Sequence, residues 1–107
     1  MKALIQQAKL QCPDTKIIAS GYSQGAEVVH DALSDASVTS LVSGAVLFGD
    51  PDSKKPVGTL PDIQVKRFCV PGDIICETGV LIVDASHLSY VIYAEEAAKA
   101  ARQFAGI

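Results

Sequence analysis

The chain is 107 residues long, with nearly half of its residues hydrophobic, one-fifth charged and a net charge of −3. That length suits one domain and not two. The mild acidic balance offers no basic stripe of the kind that binds nucleic acid, and no apolar run approaches the length of a membrane span.

Met1, Leu4, Ile5 and Ala8 recur at the spacing of an amphipathic helix, which is expected over 1–10. Gln6, Gln7 and Lys9 interrupt any continuous apolar stretch of the signal-peptide type. A short β-branched strand is expected at 16–21, followed by Gly21-Tyr22-Ser23-Gln24-Gly25 and a helix over 24–34 with Ala26, Val29 and Leu33 on one face. Residues 41–48 are almost wholly apolar and read as a strand buried on both faces. A loop containing Pro51, Pro56, Gly58 and Pro61 leads to a strand at 63–68. The last helix is expected around 90–105, packing through Ile92, Ala98 and Phe104. Strands alternating with helices imply a parallel α/β sheet. No internal repeat or low-complexity tract interrupts it.

A strand, then Gly-x-Ser-x-Gly, then a helix is the context of a nucleophile elbow, in which a sharp turn exposes a serine hydroxyl. Gly21 and Gly25 are expected to remove Cβ atoms that would collide where strand and helix pass closely. The plainer alternative is a glycine-rich turn with an idle serine. Asp73 and His87 follow, giving the chain order Ser, Asp, His. His30 is the competing base, but two helical turns carry it roughly 10 Å from Ser23, which makes it a solvated helix residue. Asp50, Asp52, Asp62 and Asp84 also precede His87. Asp73 is preferred because it follows the strand at 63–68 and lies between Cys69 and Cys76, which are close enough to close a small loop. Reduced thiols are the alternative for that pair, as in a cytosolic protein. The cysteines and histidines show no zinc-type ligand spacing, so no metal and no cofactor are expected. A nucleotide binder is disfavoured because the elbow lacks the Gly-x-Gly-x-x-Gly phosphate turn.

Taken together, Gly-Tyr-Ser-Gln-Gly, Cys-x-x-x-Asp-x-x-Cys and His87-Leu88-Ser89-Tyr90 resemble the C-terminal half of a cutinase, a small secreted serine esterase of the α/β-hydrolase group. Cys12-Pro13-Asp14-Thr15 before the elbow strand and Val46-Leu47-Phe48-Gly49-Asp50-Pro51 after it extend the likeness over nearly the whole chain. The resemblance implies a truncated three-layer αβα sandwich with a short parallel sheet, forming one partial domain over 1–107. It implies Ser23 as nucleophile, His87 as base, Asp73 as acid and the backbone N–H of Gln24 as one oxyanion donor. It also implies secretion, and cutin or short acyl esters as substrates. Acetylxylan esterases and mycobacterial cutinase-like lipases share the elbow, so it does not fix the acyl length. Leu81, Ile82, Val83 and Leu88 could rim an acyl site, or Leu81–Val83 could simply pack in the core.

In cutinases the counterpart of Cys12 pairs with a cysteine near the mature N-terminus, so Cys12 is expected to be free or to pair with another chain. The second oxyanion donor is expected upstream of Met1. The elbow strand is expected to become a sheet edge, open to self-association. The alternative function is therefore a weak or inactive cutinase fragment acting as an assembly or binding module.

Overall fold

The computed structural model describes residues 1–107. Three parallel strands, β1 (Ile18–Tyr22), β2 (Gly44–Phe48) and β3 (Val65–Phe68), lie in the spatial order β1-β2-β3. Ile18 pairs in register with Gly44 and Tyr22 with Phe48, while Ala45 pairs with Val65 and Phe48 with Phe68. The chain also forms α1 (Lys2–Gln11), α2 (Gln24–Leu33), α3 (Ala36–Thr39), α4 (Ile74–Thr78) and α5 (Ala94–Ala105).

The two-residue period of β2 divides the core. Ala45 and Leu47 join Ala26, Val29, Leu33, Val38 and Ile5 beneath α1, α2 and α3. Val46 and Phe48 point the other way, towards Phe68, Val70, Tyr90 and the α5 residues Ala97, Ala101 and Phe104. A strand whose side chains are buried on both faces must be apolar throughout, as the sequence of β2 is. The result is the three-layer αβα sandwich expected, with β1 at one edge.

The structure differs from the sequence reading where packing overrides pattern. The packed face of α5 consists of Ala97, Ala100, Ala101 and Phe104, with Tyr93 just ahead of it, whereas Ala98 is exposed and Ile92 is 66 % exposed. The segment Tyr90–Tyr93 is a tighter 3₁₀ turn, so the α-helix starts at Ala94. In α1 only Ile5 is buried, and Leu4 stands exposed. Residues 62–64 form another 3₁₀ turn ahead of β3.

Candidate active site

All three strands deliver the site from their carboxyl ends, the usual location of ligand sites in open α/β sheets. Ser23 follows β1, Gly49 follows β2, and the Asp73 loop follows β3. Ser23 has φ +57° and ψ −117°, and it is the one non-glycine residue with positive φ. Such backbone costs about 1–3 kcal/mol and persists where the surroundings over-determine it. Here the Ser23 N–H donates to the Phe48 carbonyl at 2.9 Å, and the Ser23 carbonyl accepts from Ala26 N–H at 3.0 Å.

The turn is tight on one side only. A Cβ on Gly21 would fall closer than 3.0 Å to the Gly25 carbonyl group and 2.6 Å from the Ala26 nitrogen. A Cβ on Gly25 would meet nothing within 4 Å. The expectation that both glycines avoid a collision is thus corrected: Gly21 lies against backbone, while Gly25 supplies backbone for Gly21 to approach.

Asp73 is more than a loop residue. It caps α4, its Oδ1 accepting the Ile75 N–H at 3.1 Å, and this capping fixes the carboxylate. The Cys69–Cys76 disulfide closes the segment around it, with the two Cα atoms 5.8 Å apart. Cys12 is free and exposed. His87 is buried in a 3₁₀ turn, Ser86–Leu88, where its backbone N–H donates to Asp84 Oδ1 at 3.1 Å.

Between these elements runs a continuous chain of contacts. Ser23 Oγ lies 2.9 Å from His87 Nε2, and His87 Nδ1 lies 2.7 Å from Asp73 Oδ2. His87 is 2 % exposed and Asp73 is completely buried. Burial pushes the Asp73 carboxyl upwards, but hydrogen bonds from Tyr90, His87 and the Ile75 N–H outweigh it and hold the group below its ordinary value. The neutral imidazole therefore has an acceptor nitrogen facing the serine hydroxyl when Asp73 takes the Nδ1 proton as hydrogen-bond partner. Gln24 is the first residue of α2, where backbone N–H groups have no intrahelical acceptor.

The other candidate groups lie elsewhere. Asp84 contacts the backbone of His87 and not its ring. His30 is not solvated: it is half-buried, and its Nε2 lies 2.5 Å from Oδ2 of the buried Asp50. Asp50 Oδ1 accepts the Asp52 N–H at 2.8 Å, and Arg67 Nη1 stands 3.6 Å from Oδ2. This cluster joins α2, the end of β2 and β3. The helix position of His30 did not announce this pairing, because the partner is 20 residues away in sequence.

Two tyrosines contribute positions that the motif reading did not assign. The Tyr22 hydroxyl donates to the His87 carbonyl at 2.6 Å, and its ring stacks on the imidazole with centroids 5.0 Å apart. The Tyr90 hydroxyl donates to Asp73 Oδ2 at 2.5 Å. Gly49, with φ +57°, lets the β2 end pass beneath His87, since a Cβ there would stand 2.9 Å from the ring Cε1. No sequence signal distinguished these tyrosines from core aromatics, although both fall inside the quoted motifs. Leu81, Ile82, Val83 and Leu88 are 60–72 % exposed, so the core-packing alternative does not hold for Leu81–Val83. The largest concavity, about 600 Å³ and lined by Ser53, Lys54, Lys55, Lys66 and Arg67 among others, does not include Ser23.

The parallel sheet, the strained serine at the strand-to-helix vertex and the site at the strand ends define an α/β-hydrolase type of fold. The cutinase family model matches residues 1–105, and the chain belongs to that family. It is 41 % identical to a cutinase from Monilinia fructicola over 99 % of this chain and 53 % of that protein. It is 46 % identical to cutinase 4 of Emericella nidulans over 100 % of this chain and 46 % of that protein. The structure of Trichoderma reesei cutinase in complex with a C11Y4 phosphonate inhibitor superposes with a TM-score of 0.91 at 39 % identity, covering 98 % of this chain and 48 % of that one. The chain spans about half the length of the curated relatives it matches.

Proposed function

We propose that this chain carries the serine–histidine–aspartate machinery of a carboxylic ester hydrolase acting on cutin or short acyl esters. The observation that carries the reading is the unbroken hydrogen-bond chain from Ser23 Oγ through His87 to Asp73, with Ser23 held at positive φ on the elbow. Ser23 Oγ attacks the ester carbonyl carbon while its proton passes to His87 Nε2. Asp73 accepts the Nδ1–H hydrogen bond throughout and stabilises the imidazolium. The negative oxygen of the tetrahedral intermediate faces the Gln24 N–H at the start of α2, where the helix dipole favours negative charge. Collapse expels the alcohol, which takes the proton from His87, and leaves an acyl group on Ser23. Water then repeats the sequence and releases the acid.

Leu81, Ile82, Val83 and Leu88 flank His87 in sequence and present exposed apolar surface, which supports an ester with an aliphatic acyl chain. The disulfide supports residence in an oxidising compartment outside the cell. No helix is long and apolar enough to cross a membrane.

One observation favours a second reading, an assembly or binding module: β1 pairs with β2 on one side and has no strand on the other. An alkyl phosphonate ester carrying a p-nitrophenolate leaving group separates the two, because one covalent event requires the elbow and the base but no full turnover. Stoichiometric labelling at Ser23, absent in Ser23→Ala, is expected by mass spectrometry. Labelling that survives Ser23→Ala, or an unlabelled native chain, would overturn the enzyme reading.

A further inference from the structure

Asp73 Oδ2 does not serve His87 alone. It accepts the Tyr90 hydroxyl at 2.5 Å and faces His87 Nδ1 at 2.7 Å, so one carboxylate oxygen holds two donors while Oδ1 holds the Ile75 N–H. The Tyr90 oxygen is itself fixed. It accepts the Val70 N–H at 3.1 Å and lies 3.3 Å from Cys76 Sγ, inside the disulfide segment. Tyr90 is buried, and its ring lies edge-on to both the His87 and Phe48 rings. A buried phenol hydroxyl needs an acceptor, and here that acceptor is the very carboxylate oxygen that faces His87. Resting on the serine-hydrolase reading above, we infer that Tyr90 is a positioning residue of the catalytic relay, its hydroxyl pinning Asp73 Oδ2 and drawing charge from the oxygen that orients His87.

The consequence follows from hydrogen-bond competition. A carboxylate oxygen that accepts a second short hydrogen bond carries less negative charge for the first donor. Removing the phenol hydroxyl leaves a buried Asp73 whose Oδ2 is satisfied by His87 alone. The imidazolium then gains a stronger partner, and His87 holds its proton to higher pH. The carboxylate simultaneously loses one of the contacts that set its rotamer, so the imidazole is less well aimed at Ser23. The remaining ionisable groups around the ring do not change between the two proteins. They are Tyr22, stacked on the imidazole; Asp84, on the His87 backbone N–H; Glu77, whose carboxylate accepts the Gly72 N–H on the Asp73 segment; Asp50, next to Gly49; and Tyr93, beside Tyr90. Asp50 is engaged by His30 on the far side of Gly49.

The test is Tyr90→Phe in the full chain, with the two histidines followed by NMR of imidazole-labelled protein and His30 assigned through His30→Gln. The His87 titration midpoint is expected to move up by about half a unit to one unit, a roughly three- to tenfold gain in proton affinity. Where the chain turns over a p-nitrophenyl ester, the acid limb of kcat/KM is expected to move in the same direction, with kcat falling more than KM rises. A folded Tyr90→Phe with an unmoved or lowered His87 midpoint would overturn the inference, because a purely structural tyrosine changes melting temperature and not that midpoint. The NMR readout needs no esterase activity, so an inactive chain would count against the hydrolase reading and leave the Tyr90 test intact. Should Tyr90→Phe fail to fold, Asp73→Asn provides the reciprocal measurement. Burial and the hydrogen-bonded Asp73 carboxylate both push the Tyr90 phenol above its ordinary value. In Asp73→Asn one of the three tyrosine ring resonances is expected to titrate at clearly lower pH, and no such change would equally refute the coupling.

Discussion

The two motif glycines look equivalent in sequence, and the structure makes opposite predictions for them. In Gly21→Ala the new methyl group would lie under 3.0 Å from the Gly25 carbonyl and 2.6 Å from the Ala26 nitrogen, all backbone atoms of α2. No rotamer change can relieve this, so β1 and α2 must separate by something near 1 Å, against an ordinary carbon–carbon contact of about 3.5–4 Å. Overpacking of this kind costs typically 1–3 kcal/mol, and a backbone obstacle belongs at about 3 kcal/mol. A domain of this length has about 5–15 kcal/mol of stability in total, so the folded-to-unfolded ratio should fall about a hundredfold. In Gly25→Ala the methyl group enters open space at the second residue of α2, and the better helix propensity of alanine should leave stability unchanged or raise it by about 0.5 kcal/mol. Urea titrations followed by far-UV circular dichroism test both together. With a slope of about 2 kcal/mol/M, Gly21→Ala should lower the midpoint by about 1.5 M while Gly25→Ala holds or raises it slightly. Equal shifts, or a tolerated Gly21→Ala, would show that the strand and helix do not approach as described.

Two further predictions concern charge and edge. Because the Asp73 carboxyl is held below the 3.8 it has unperturbed, its contribution to stability is complete above that value and is lost as pH falls through the folded-state value. The urea midpoint should therefore drop below about pH 4, and Asp73→Asn should flatten that part of the profile. An acid loss of the same size in Asp73→Asn would assign it to other carboxylates, such as Asp35, which Lys2 and Ser37 hold down to about 2. The open edge of β1 should make the chain self-associate. Light scattering coupled to size exclusion should show concentration-dependent species, which Ser20→Pro, placing an imide on that strand, should reduce; a concentration-independent monomer would refute the edge argument.

What could be read from the chain follows the range of the interaction involved. β2 was legible because a strand buried on both faces must be apolar at consecutive positions, and Gly44–Phe48 is. The elbow was legible because its strand, turn and helix are contiguous. The helix α4 was not, since Ile74–Thr78 is too short to show periodicity and is set by the Asp73 cap and the adjoining disulfide. Nor was the working face of α5: alanines at 97, 98, 100 and 101 are indistinguishable until Phe68, Tyr93 and Phe104 determine which side meets the sheet. Ser23, Asp73 and His87 were named from motifs, yet their hydrogen bonds span 64 and 14 residues of sequence. Tyr22, Tyr90 and the His30–Asp50 pair depend on contacts just as distant, and lying in or near a motif did not reveal what each side chain would meet.

The strain at Ser23 and the open edge of β1 occupy the same strand, but they draw on different partners. The Ser23 N–H is held by Phe48 at the end of β2, and Tyr22 pairs in register with that same residue. His87 rests on Gly49, one residue further along, and Asp73 is fixed by Tyr90, Ile75 and the disulfide segment. Apart from Tyr22 of β1 itself and the Ala26 N–H of α2, these supports come from the β2 and β3 side, and none comes from a neighbour across the free edge. A perturbation of that edge should change association before it changes the Ser23–His87 geometry. Loss of a β2-side support such as the Phe48–Ser23 hydrogen bond should release the strained serine first. Ser20→Pro, on that edge strand, is consequently expected to change association while leaving the Ser23–His87 geometry in place.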